Sequence, residues 1–169
     1  MRLALAVLLV TAVPVLAHSV VIDTSFNGTG VGEAQTSVHE DADPWAGWVT
    51  VNVSNTGSEA WGDFHFEIYD PIGGQNISNV DFLVDPPYEP TSTQSPLTWV
   101  VDNVSVGAKI DLYYYSDPVY PGESATFAVY NVNPDNVSFF GVMFYPTPIP
   151  EPATLLLLGL GAAVAIRRR

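Results

Sequence analysis

The middle of the chain is patterned with a period of two, apolar and polar residues alternating. Valines alternate with polar residues in 48–54, and aromatic residues do so in 64–69. This period places successive side chains on opposite faces of a β-strand. Strands are predicted in seven segments separated by turn-rich stretches: 20–26, 48–54, 64–69, 97–101, 110–115, 124–131 and 139–145.

About seven short strands predict an all-β domain over residues 18–146, an antiparallel β-sandwich of immunoglobulin-like type. Residues 81–96 are predicted to form a loop, since they are too rich in proline for a central strand. The alternation predicts that one side of the strands faces a core. Its members are Phe64, Phe66, Ile68, Leu97, Trp99, Val101, Ile110, Leu112, Tyr114, Phe127 and Val129.

Residues 1–17 have the pattern of a secretory signal peptide. Arg2 precedes an apolar run over 3–16, which closes on Val15-Leu16-Ala17, small enough at its outer positions for signal peptidase. Cleavage by signal peptidase after Ala17 would leave His18 as the first residue. The alternative is an uncleaved anchor, which is less favoured because the run is short and a cleavage site follows at once.

Residues 147–169 have the pattern of a membrane tail. The apolar run 153–166 spans roughly 21 Å as a helix, short for a bilayer core of about 30 Å. Arg167, Arg168 and Arg169 can extend its reach by snorkelling. Because positive charge marks the cytoplasmic side, this transmembrane helix is predicted to leave the body of the protein outside the inner membrane.

Pro150, Glu151 and Pro152 stand directly before the apolar run. The two prolines fix an extended backbone that a protease can grip. A motif, an apolar helix and a basic stop in this order resemble the PEP-CTERM sorting signal. The resemblance implies processing by an exosortase in a Gram-negative host that makes extracellular polysaccharide. It also implies transient anchoring, followed by transfer to the cell surface or the extracellular matrix. The same tail is also called an "ice-binding protein C-terminal domain", a label for the tail that does not imply ice binding by the body.

The charge of the chain excludes one class of partner and suggests a metal ligand. Its formal net charge is −13, and Lys109 is the one basic residue in 18–149. A body this acidic repels nucleic acid. Calcium is a candidate ligand at two acidic clusters, although neither has EF-hand spacing and a solvated acidic surface is favoured. The clusters are Glu40, Asp41 and Asp43, and Asp81, Asp85 and Glu89.

Histidine offers a second candidate metal site. A mature N-terminus at His18 would present an α-amino group and an imidazole, and His39 or His65 would add a second imidazole. Imidazole suits copper. The arrangement resembles the histidine brace of lytic polysaccharide monooxygenases, which implies a copper enzyme. The favoured alternative is a histidine that merely follows the cleavage site.

Aromatic residues offer a candidate sugar-binding surface. Tyr113 and Tyr115 are predicted to share an outward strand face with Asp111, where rings beside an acid can stack on sugars. The favoured alternative is that such rings cover the core or a sheet edge. Trp45, Trp48 and Trp61 are further candidates, and Asn-x-Ser/Thr sequons occur at Asn27, Asn52, Asn76, Asn103 and Asn136.

These patterns favour a non-enzymatic sandwich domain with a structural or adhesive role at the cell surface. A carbohydrate-binding module for extracellular polysaccharide and a copper-binding enzyme built on His18 are the alternatives. Catalysis by a Ser-His-Asp arrangement has no flanking motif to support it, and no glycine-rich phosphate loop is present.

Overall fold

The computed structural model describes residues 19–40, 45–134 and 139–149. These ranges contain a 3-10 turn at Val31–Glu33 and ten strands, and no α-helix, which confirms the all-β prediction. The strands are β1 (Val20–Phe26), β2 (Gln35–Glu40), β3 (Trp45–Asn55), β4 (Trp61–Tyr69), β5 (Asp81–Leu83), β6 (Thr91–Ser92), β7 (Thr98–Asp102), β8 (Lys109–Tyr113), β9 (Ser124–Asn133) and β10 (Phe139–Pro148).

The strands form two five-stranded sheets. Sheet A has the order β1-β3-β9-β5, with β6 also paired to β9, and sheet B has the order β2-β10-β4-β8-β7. The prediction of purely antiparallel pairing is wrong at one place, because β1 pairs with β3 in parallel. The chain leaves β1, forms β2 in sheet B and then returns as β3, so no hairpin reverses the direction between β1 and β3. The immunoglobulin-like topology stays a prediction.

One apolar core lies between the two sheets. Phe64 and Phe66 of β4 are fully buried, as predicted. Phe64 stacks across the sandwich on Phe127 of β9, with ring centroids 4.5 Å apart. The predicted inward residues of β8 and β9 are also buried, whereas Leu97, Trp99 and Val101 are partly buried against the core at the edge of sheet B. Burial of this many large side chains stabilises a domain that has no cysteine.

Three strands were not expected from the sequence. Within the predicted loop 81–96, Asp81–Leu83 and Thr91–Ser92 both pair with β9, so the loop prediction is wrong at these residues. Strands of two or three residues are too short to show a period. β2 is an edge strand in which Val38 is the one aliphatic residue, so it shows no alternation either.

The sheet reaches almost to the Pro-Glu-Pro motif. β10 continues to Pro148, two residues past the predicted domain boundary at 146, and the Ile149 amide donates a hydrogen bond to the Ala60 carbonyl at 3.0 Å. The predicted signal peptide 1–17, the motif 150–152, the apolar run 153–166 and the basic stop 167–169 lie outside the described residues. In the part of the chain that the structure describes, no helix is long and apolar enough to cross a membrane.

Candidate functional site

A cluster of tyrosines and acids covers the outer face of sheet B, and we call it the tyrosine face. Its side chains alternate with the inward residues of β4, β8 and β10, so the strand period directs them away from the core. The register then places them side by side across the three strands. The tyrosine face consists of Asp63, His65, Asp111, Tyr113, Tyr115, Tyr145 and Thr147.

Tyr113 and Tyr115 form the aromatic part of this face. Their rings are stacked with centroids 5.9 Å apart, and Tyr115 is 52% exposed. The Tyr115 hydroxyl donates a hydrogen bond to Asp63 Oδ2 at 3.0 Å. Gly62 makes room for the ring, since a Cβ there would lie 2.4 Å from Tyr115 Cδ1. The two rings therefore present a fixed, partly exposed aromatic platform.

His65 lies at the centre of the face between two carboxylates. Its Nδ1 is 2.5 Å from Asp111 Oδ1, and its Nε2 is 3.5 Å from Asp63 Oδ1 and 3.3 Å from Thr147 Oγ1. Burial acts to lower the pKa of His65, but the hydrogen bonds and negative charges of Asp111 and Asp63 outweigh it and raise the pKa to about 9. The imidazole is consequently charged at neutral pH, and it stacks on Tyr145 with centroids 4.8 Å apart.

Asp111, His65 and Thr147 stand in the order of a catalytic acid, base and nucleophile. A general base must accept the proton of the nucleophile, and a histidine that is already protonated cannot do so. The raised pKa of His65 thus favours a different role, in which the imidazolium bridges buried Asp63 and partly exposed Asp111.

The tyrosines of the face remain protonated over the physiological range. Burial, followed by the charge of Asp63 and its hydrogen bond, raises the pKa of Tyr115 to about 12. Burial and the charges of Asp111 and Asp63 also raise the pKa of Tyr113. The Tyr115 hydroxyl donates its one hydrogen to Asp63 and the Tyr113 hydroxyl donates to Asp111 at 3.5 Å, so both oxygens face a ligand as hydrogen-bond acceptors.

The candidate metal residues are only partly described. Both ring nitrogens of His65 already have partners, whereas His18 and the side chain of His39 lie outside the described residues, so the copper site stays a prediction. Of the second acidic cluster, Asp81 is partly buried, and Asp85 and Glu89 are exposed. Within the described ranges, no three His, Cys, Asp or Glu side chains are grouped to hold a metal ion. The first acidic cluster (the side chain of Glu40 with Asp41 and Asp43) lies outside those ranges.

Of the three candidate tryptophans, Trp48 and Trp61 lie away from the tyrosine face. Trp61 is buried in the core, and Trp48 packs edge-on against Tyr130 on sheet A. The side chain of Trp45 lies outside the description.

Three sequon asparagines already use their side chains in hydrogen bonds. Asn52 donates to Asp23, Asn103 bonds both backbone groups of Phe82, and exposed Asn76 accepts from the amide and the hydroxyl of Ser78. Asn27 is exposed, and Asn136 lies outside the described residues.

Comparison with known proteins gives a family match at the C-terminal end of the chain. Residues 148–169 match the family model of the PEP-CTERM protein-sorting motif, which confirms the resemblance drawn from Pro150, Glu151 and Pro152. The match implies an exported protein that is processed by an exosortase. No curated protein and no solved structure matches the chain.

Proposed function

We propose that this is a surface or extracellular-matrix protein whose sandwich domain has a non-enzymatic, adhesive role. The sorting motif supports export, and the sheet that carries the tyrosine face leads into that motif through β10 and Ile149. On this account a signal peptide over residues 1–17 starts export, and the apolar run 153–166 holds the protein in the inner membrane until exosortase cleaves near Pro150–Pro152. The body is an immunoglobulin-like sandwich that is then displayed or released.

We further propose that the tyrosine face binds extracellular polysaccharide. The observation that carries this proposal is the stacked Tyr113–Tyr115 pair beside Asp63 and Asp111. An aromatic face packs against the C–H face of a sugar ring, while carboxylates accept hydrogen bonds from its hydroxyls. Asp111, whose side chain is 33% exposed, is the carboxylate that a sugar can reach, whereas Asp63 is buried and holds Tyr115 in place.

Binding of neutral polysaccharide by the full-length chain in detergent micelles tests this function. We expect dextran or mixed-linkage β-glucan to bind, and Tyr115→Ala to weaken binding by roughly tenfold, about 1.4 kcal/mol. Tyr120→Ala is the matched control, because Tyr120 is equally exposed at 54% but lies outside the tyrosine face. Equal losses in the two variants, or no binding by the wild-type chain, would contradict the proposal.

Two alternative functions can each be tested by a separate measurement. A copper enzyme built on His18 requires copper bound to the mature protein, with His18 as its free N-terminus. A calcium-stabilised adhesin requires a melting temperature that falls when a chelator removes calcium.

A further inference from the structure

A second polar surface lies on the outer face of sheet A, and we call it the hydroxyl groove. It is an open groove of about 290 Å³ between the ends of β1, β3 and β9. Outward residues of the three strands meet there because the register aligns Asp23 with Asn52, Asn52 with Thr126, and Ser54 with Ser124. The lining residues are Asp23, Thr24, Asn52, Val53, Ser54, Thr93, Ser124, Ala125 and Thr126.

Hydrogen bonds hold the polar side chains of the groove in place. Asn52 Nδ2 donates to Asp23 Oδ1 at 2.7 Å, and Thr126 Oγ1 donates to Asn52 Oδ1 at 2.8 Å. The Ser54 and Ser124 hydroxyls are 2.9 Å apart and share one hydrogen bond. A ligand would therefore meet groups that are already oriented and would not have to order them.

The same groups keep unused hydrogen-bonding capacity. Asn52 retains one N–H, the serine pair retains one O–H, and the Asp23 carboxylate retains most of its acceptor sites. Donors and acceptors thus lie side by side along the groove. Vicinal hydroxyls of a sugar both donate and accept, so they match this mixed set better than an apolar ligand or a ligand that only accepts.

The charge of the groove further restricts the class of ligand. The lining contains one carboxylate and no basic residue, and the chain as a whole carries a formal net charge of −13. A polyanion such as a uronic acid polymer would be repelled. A neutral polysaccharide carries the required hydroxyls without that penalty.

From this chemistry we propose that the hydroxyl groove is a second binding site for neutral polysaccharide, and that one molecule cross-links two polysaccharide chains. The groove and the tyrosine face lie on the outer faces of the two sheets, and the shared core separates them. Because the two sites lie on opposite sides, they cannot bind the same short polysaccharide segment. Binding at both sites therefore joins two polysaccharide chains or distant parts of one chain. The cross-linking part rests on the proposed function of the tyrosine face.

Light scattering from mixtures with soluble mixed-linkage β-glucan or dextran tests the proposal on the full-length chain in detergent micelles. The wild-type chain is expected to raise scattering at intermediate ratios and to lose the effect in excess protein. Ser124→Trp, which fills the groove, is expected to abolish cross-linking while binding through the tyrosine face remains. Tyr113→Ala combined with Tyr115→Ala should likewise leave a chain that binds through the groove alone. Alginate, a polyanion, should give no signal.

A second variant with smaller substitutions tests the groove even if Ser124→Trp does not fold. Ser54→Ala with Ser124→Ala removes two hydroxyls that bond each other, so no partner is left unsatisfied, and groove binding should weaken roughly fivefold. Ser78→Ala is the matched control, since it removes one exposed hydroxyl with a similar local bond to Asn76.

The possible failures are distinct. If Ser124→Trp cross-links as well as the wild type, the groove is not a site, and the tyrosine-face function still stands. If the double tyrosine variant loses all binding, the groove proposal fails in the same way. If the wild-type chain binds neither glucan, both proposals fail.

Discussion

At the scale of single residues, His65 determines the charge pattern of the tyrosine face. A lone histidine on the polar side of a strand gives no sign in the sequence that its pKa will be shifted. The shift arises because the register brings Asp111 of β8 beside it and because Asp63 lies two residues away on the same face. The charged imidazole thus lies between the two carboxylates and contacts both.

This arrangement predicts how stability changes with pH. The pKa of His65 is about 9 in the folded protein and about 6.5 in the unfolded chain, so its contribution is complete below pH 6.5 and is lost as pH rises through 9. Between these values the free energy of unfolding should fall with pH, by at most about 1.4 kcal/mol per unit from this one group. His65→Gln keeps polar contacts but does not titrate, so the fall should flatten.

Urea unfolding of the wild-type chain and of His65→Gln at several pH values between 6 and 10 measures this effect. The wild type should lose stability over this window relative to the variant. Parallel curves for the two proteins would show that His65 does not carry the shift.

The sequence predicted part of this face and missed the rest. Strand parity placed Tyr113 and Tyr115 together with Asp111, since all three follow one period of two. The same parity in β4 puts Asp63 and His65 on one side, opposite Phe64 and Phe66, but it cannot align β4 with β8 or β10. Thr147 and Tyr145 join the site through that alignment, which depends on tertiary pairing and has no local signal.

Among the strands, β1 has the bounds that the sequence predicted but an unexpected pairing. It lies at the edge of sheet A and is joined to β3 in parallel, with no hairpin to fix its position. Its attachment depends on Phe26, which is 2% exposed and makes edge-on contacts with the rings of Trp61, Phe64 and Phe144. This buried ring connects β1 to the opposite sheet, together with the hydrogen bonds of Gln35 in β2 to Thr24 and Ser25.

Phe26→Ala should lower the free energy of unfolding by about 3–5 kcal/mol, because it removes a buried ring and leaves a cavity. Val21→Ala on the same strand is the control. Val21 is 63% exposed, so the change should stay within about 0.5 kcal/mol. Urea unfolding followed by tryptophan fluorescence measures both, and similar losses in the two variants would rule out this attachment of β1.

Long alternating segments were the predictable elements. β3, β4, β8 and β9 carry a clear period of two, and their inward residues are buried as the pattern indicates. β2 has little apolar character because it is an exposed edge, and β5 and β6 are too short to repeat. The parallel pairing of β1 was also missed, since local alternation does not encode which strand becomes a neighbour.

In the whole molecule, an acidic body directly precedes the sorting signal: the described residues reach Ile149, and the family match begins at residue 148. Seventeen of the eighteen acidic residues and one lysine lie in residues 18–149. Net charge of this size keeps a released protein soluble and directs it away from polyanions. The last described hydrogen bond, from Ile149 to Ala60, is one residue before Pro150, so an exosortase would have to act close to the folded sheet.

If the chain is exported, we expect it to be processed at both ends. The intact mass of the protein in each fraction of its native host measures this processing. We expect an extracellular form that has lost residues 1–17 and the tail from near Pro150–Pro152, with any glycan visible as added mass. A chain that keeps its full C-terminus and occurs only in the membrane fraction would contradict sorting and would indicate a protein that stays anchored by its tail.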